Sequence, residues 1–104
     1  MKSRKIAFRR IADAALGRAD VIVRRWLPDG RREAGEWVSR NPTRDDHKRG
    51  SFKVNLRTGK WGDFATGDRG GDLTALAAYL FKLSQADAAL KVADMIGVEP
   101  YEQA

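Results

Sequence analysis

Asp45, Asp46 and His47 stand side by side, two carboxylates next to the only imidazole of the chain. Such a trio moves protons or holds a divalent cation when further ligands converge on it. Here Arg44, Lys48 and Arg49 flank it, and their charge opposes a cation, so the trio reads as a solvated loop. Gly67-Asp68-Arg69-Gly70-Gly71-Asp72 is a glycine-rich run of the kind that cradles phosphate before a helix. It lacks the lysine and hydroxyl of a phosphate loop, and Asp68 and Asp72 repel an anion, so a turn followed by a helix cap is expected. There is no cysteine, which excludes disulfides and thiolate metal sites. No nucleophile stands paired with a base, and neither catalysis nor a cofactor or metal is expected.

Cations are the remaining chemistry. Residues 1–60 hold 17 Lys and Arg against 7 Asp and Glu, whereas residues 61–104 hold 3 against 7. A basic first part and an acidic last part give a polar molecule with one cationic face, suited to a nucleic-acid backbone. Lys53, Arg57 and Lys60 fall on the outward positions of a hairpin, flanked by Arg40, Lys48 and Arg49. Trp61 or Trp37 supplies a stacking surface between these charges, unless both are core. Paired arginines at 9–10, 24–25 and 31–32 extend the basic footprint or meet an acidic protein.

These side chains need elements to position them. Residues 5–27 carry an apolar stripe at three- and four-residue steps, through Phe8, Ile11, Ala12, Ala15, Ala19, Ile22, Val23 and Trp26. Gly17 interrupts it and Asp20 can cap a second segment, giving one bent helix or two short ones. Pro28-Asp29-Gly30 ends the stretch. Glu36–Arg40, Ser51–Arg57 and Lys60–Phe64 read as strands. The middle one alternates cleanly, with Phe52, Val54 and Leu56 inward and Lys53, Asn55 and Arg57 outward. Asp72 and Ser84 are expected to cap two further helices, and Gly97 to close the last. Residues 98–104 read as a loose tail. The expected fold is α+β: a single domain over residues 1–104 with a small antiparallel sheet between N-terminal and C-terminal helices. The core is expected from Trp26, Trp37, Phe52, Val54, Leu56, Phe64, Leu73 and Leu76. With no leader and no long apolar run, a cytoplasmic protein is the expectation.

Asn41-Pro42-Thr43-Arg44, Gly50-Ser51-Phe52-Lys53-Val54, Trp61, Phe64, Gly67 and Gly71-Asp72-Leu73 occur in an order that resembles the N-terminal zinc-ribbon domain of bacterial and phage DNA primases. The likeness spans about residues 8–97. It implies a ribbon that engages single-stranded DNA, detached from the catalytic part and carried by a phage, plasmid or other mobile element. The runner-up is a protein-interaction module that docks on a replication or host defence complex, with an inhibitor among the roles of that kind. The resemblance places the four zinc-ligand positions on Asn41, Arg44, Asp63 and Thr66, none of them a cysteine or histidine, so it implies a ribbon without its metal. Arg44 and Asp63 are then expected to pair, with Asn41 and Thr66 hydrogen-bonding around them, or else Arg44 and Asp63 are solvated loop residues. A structural zinc contributes about 10–16 kcal/mol to such folds, and a partly exposed ion pair only about 0–1 kcal/mol. An ion pair can fix geometry there, and the apolar core has to supply the stability.

Overall fold

The computed structural model describes residues 4–45 and 50–103. Four helices and five short strands follow in the order α1 Phe8–Leu16, α2 Ala19–Trp26, β1 Arg31–Glu33, β2 Glu36–Ser39, β3 Phe52–Asn55, β4 Trp61–Asp63, β5 Arg69–Gly70, α3 Leu73–Phe81 and α4 Gln85–Ile96. The strands form one antiparallel sheet in sequence order, β1 to β5. The expected α+β architecture is therefore present.

The N-terminal stripe is split at Gly17 into two helices rather than bent. Asp20 is not the cap of the second: Arg18 holds that place without a side-chain bond, and Asp20 lies in the first turn, where a carboxylate suits the helix dipole. Asp72 and Ser84 do cap α3 and α4, accepting from the N–H groups of Ala75 and Asp87, and Gly97 ends α4 in the left-handed region. Strand β1 has no apolar residue, so no alternation announces it. It exists because Ala34 and Gly35, both at positive φ, form a two-residue hairpin loop whose twist suits antiparallel strands.

Phe52, Val54 and Trp61 on the inner face of the sheet pack on Ile11, Ile22 and Val23 of the first two helices, and on Leu73, Leu76 and Val92 of the last two. Two tryptophans are buried in this layer. The Trp37 indole donates to Leu27 O at 2.9 Å, and that of Trp61 donates to Asp72 O at 3.0 Å. Each lies against a glycine: a Cβ on Gly30 would come within 2.2 Å of the Trp37 ring, and one on Gly70 within 2.5 Å of Trp61. These backbones can approach the indoles only because they carry no side chain. Phe52, Trp61 and Tyr79 form an aromatic group with centroids 4.9–6.2 Å apart, within the range of favourable ring contacts.

Two expectations about packing fail. Phe64 is 77% exposed, not core. The pleat puts Trp61 and Asp63 inward, so the next residue points out. Residues 98–104 are not a loose tail over their described part. Tyr101 bridges Ile6, Pro100 and Lys5 carbonyls accept from Ala7 and Glu102, and Arg10 donates to the carbonyls of Glu99 and Tyr101. No helix among the described residues is long and apolar enough to cross a membrane.

Candidate nucleic-acid interface and the polar cluster beneath it

Strand registry arranges the outer face of the sheet. Arg31 lies opposite Val38, Val38 opposite Lys53, Lys53 opposite Gly62 and Gly62 opposite Arg69. Residues directly opposite one another share a face, so Arg31, Lys53 and Arg69 fall on one row running across all five strands. Strand neighbours are about 4.8 Å apart, which spaces these cations along a track. Arg31 is partly neutralised by Glu33 at 2.8 Å. A shallow groove crosses the β3–β4 side of this face, lined by Glu36, Lys53, Asn55, Thr58, Lys60, Gly62, Phe64 and Arg69, with an edge of Trp61.

Phe64 stands at this groove. Its N–H donates to Ser51 O, which pins the backbone, and its ring carries the Lys53 ammonium 5.5 Å from the centroid. Among the described residues it is the most exposed large apolar side chain. An exposed ring beside cations is what a base needs in order to stack while its phosphates are neutralised.

The structure sorts the expected contact residues. Lys53 and Lys60 share the groove, and Arg57 is exposed on the β3–β4 turn, where Asn55 Oδ1 accepts from the N–H groups of Arg57 and Thr58. Arg40 does not join them. It lies past the end of β2 with its guanidinium 3.1 Å from Asp29, beside a separate hollow that also contains Trp26 and Arg44. Trp61 is 6% exposed and Trp37 4%, so neither offers a ring face to a base; their indoles are spent on the core. Lys48 and Arg49 lie outside the described residues, as do Asp46 and His47. Phe64 and Arg69 are the residues that sequence reasoning missed here. The inward position of Trp61, counted forward by twos, was the signal for Phe64.

On the inner side of the same strand lies a buried polar cluster. Two turns of the same build face each other. In each, the N–H of the fourth residue reaches back to the carbonyl of the first: Arg44 to Asn41 at 3.4 Å, and Thr66 to Asp63 at 3.3 Å. In each, the first side chain accepts the N–H two residues on: Asn41 Oδ1 from Thr43 at 2.9 Å, and Asp63 Oδ1 from Ala65 at 2.8 Å. Asx turns of this kind are a local device of Asn and Asp. Side chains join the two turns. Asp63 Oδ2 accepts from Asn41 Nδ2 at 2.8 Å and from Arg44 Nε at 2.9 Å, and Arg44 Nη2 also donates to Ser51 Oγ at 3.1 Å. Asn41 Nδ2 donates further to the Tyr79 hydroxyl, which donates to Asp68 Oδ2, each at 2.8 Å.

The Asp63 side chain has no exposure and that of Arg44 has 30%. Burial pushes the Asp63 carboxyl up, but hydrogen bonds from Arg44, Asn41 and the Ala65 N–H, with the Arg44 charge, outweigh it and hold the pKa down at about 2. Arg44 and Asp63 thus meet, and Asn41 joins them. Thr66 does not join through its side chain: its hydroxyl accepts from the Asp68 N–H, closing its own loop. No group of three or more His, Asp or Glu converges as a metal site among the described residues. The cluster's donors do not suit zinc either, because the central carboxylate, Asp63, is already covered by a guanidinium and the amide oxygen by Thr43.

No family model and no curated protein matches the chain. Among solved structures, the fold is similar to part of a crystal structure of the Aquifex aeolicus primase, described as its zinc binding and RNA polymerase domains. The TM-score is 0.73 at 20% identity, with 100% of this chain covered. The chain spans 23% of that primase chain. The α+β fold resembles the primase zinc-binding domain.

Proposed function

We propose that this chain is a non-catalytic module that binds single-stranded DNA through the outer face of its sheet. The observation that carries the reading is Phe64, a largely exposed ring next to Lys53 and in one groove with Lys60 and Arg69. What sets Phe64 apart from the other exposed apolar side chains is its place beside Lys53 in a groove lined by further cations, the arrangement that stacks a base while its phosphates are neutralised. The fold's likeness to a zinc-binding primase part supports nucleic acid as the ligand class, and a location in the cytoplasm follows from that reading. The catalytic part of a primase has no counterpart in this proposal. Single strands are favoured over duplex because an aromatic ring on a shallow sheet reaches base faces only where they are unstacked.

Titration of labelled single- and double-stranded oligonucleotides across a salt series tests this. Tighter binding to the single strand is expected, with log K falling on log salt by roughly 0.7 for each phosphate neutralised. Replacing Lys53, Arg57 and Lys60 together by alanine should lower that slope by up to about 2. An unchanged slope and affinity would remove the proposed face.

A further inference from the structure

We infer that the two facing turns, Asn41–Arg44 and Asp63–Thr66, are locked to each other by side chains alone, and that this chain keeps a zinc-binding type of fold without any metal ion. Counting lone pairs and N–H groups carries the point. A carboxylate has about four acceptor sites. On Asp63 they meet Ala65 N–H and Arg44 Nη2 at Oδ1, and Asn41 Nδ2 and Arg44 Nε at Oδ2. The amide oxygen of Asn41 takes both the N–H and the hydroxyl of Thr43, and its two N–H bonds go to Asp63 and Tyr79. All lone pairs counted on the side-chain oxygens of Asn41 and Asp63 are thus engaged. A cation entering here would have to break several of these bonds and expel the Arg44 guanidinium from a buried carboxylate.

The clamp is connected to the core as well as to itself. Tyr79 stands on α3, its ring stacked on Phe52 and tilted against Trp61, and its hydroxyl closes the chain from Asn41 to Asp68. Loop 41–44, strand β4, the 63–68 loop and α3 are thereby tied at one place, as a structural ion ties separate segments. The satisfied network also explains how a buried Asp and Asn are tolerated: every partner is present, so neither is left desolvated and alone.

A second consequence rests on the proposed binding face. Phe64 follows Asp63 directly, so Arg44 and Asp63 act as positioning residues for the stacking ring without touching the nucleic acid.

The test uses the purified chain. Elemental analysis and thermal melting with and without a zinc chelator, and with added zinc, are expected to show no stoichiometric metal and one unchanged midpoint. Stoichiometric zinc, or unfolding by the chelator, would overturn the inference. Asp63→Asn and Arg44→Gln should each lower the midpoint, and the double variant should lose less than the sum of the two losses, because both remove one shared interaction. Additive losses would overturn the coupling at the heart of the clamp. If the variants do not fold, the unmodified chain still decides through its metal content. Asp63→Asn should also weaken single-strand binding while leaving its salt slope unchanged. If the unmodified chain binds no oligonucleotide, the binding proposal fails, whereas the metal and coupling results stand or fall separately.

Discussion

Asp63 and Phe64 are neighbours in sequence and opposites in space. The carboxylate is buried and takes hydrogen bonds on both oxygens, whereas the ring is 77% exposed and packs against a lysine. Polarity alone would reverse them. The pleat of β4 puts Trp61 and Asp63 on the inner face, and the polar cluster makes the inner position acceptable to a charge. The contrast teaches that a hydrophobic residue can be placed by register rather than by hydropathy. It also separates two tasks: one side chain holds the loop, and the next is offered to a ligand.

The sharpest way to break the comparison is to remove the holding side chain. Asp63→Ala leaves Arg44 and Asn41 without their central acceptor. Losing one partner of a buried pair costs about 3 kcal/mol at the lower end of the usual range, the end that suits an arginine still partly in water. For a chain of this size that lowers the melting midpoint by on the order of 15 °C, readable by circular dichroism.

Acid makes the same break reversibly. The native pKa of Asp63 is about 2 against an ordinary 3.8, so the folded form resists protonation more than the unfolded form does. Its contribution is complete above about pH 4, declines as the pH falls, and is lost below about 2. Up to about 2 kcal/mol is at stake over that interval. Chemical denaturation at pH 5 and at pH 2.5 measures it by difference from Asp63→Asn, which should lack this part of the acid sensitivity.

Much of the scaffold is legible in the sequence. Alternation gave Phe52 and Val54 their inward positions and Lys53 its outward one. The cap chemistry of Asp72, Ser84 and Gly97 marked the helix ends, because those signals act within four residues. What is hidden depends on turn geometry and on contacts that no local period announces. Strand β1 is Arg31-Arg32-Glu33, with no apolar residue to set a period. Strand β5 is two residues long, and Gly70 matters there because Trp61 lies against it. The tail is held by pairing between the two ends of the chain. At the candidate site, the resemblance to a primase ribbon implies the pairing of Arg44 with Asp63, which is present, whereas the Thr66 hydroxyl is occupied within its own turn. The tryptophans suit stacking by residue type, but their indole N–H groups are committed to the backbone carbonyls of Leu27 and Asp72.

The smallest expected change in stability comes with the most telling change in binding. Phe64→Ala removes a ring that contributes little to the core, so its denaturation midpoint should stay within about 0.5 kcal/mol of the unmodified chain, as for ordinary surface positions. Affinity of this variant for a labelled single-stranded oligonucleotide is the most direct measurement. Loss of one stacked base, about 1–3 kcal/mol, should weaken binding by roughly 5- to 150-fold at unchanged stability. Equal affinity for the two proteins, or a variant that no longer folds, would contradict the division of labour between residues 63 and 64.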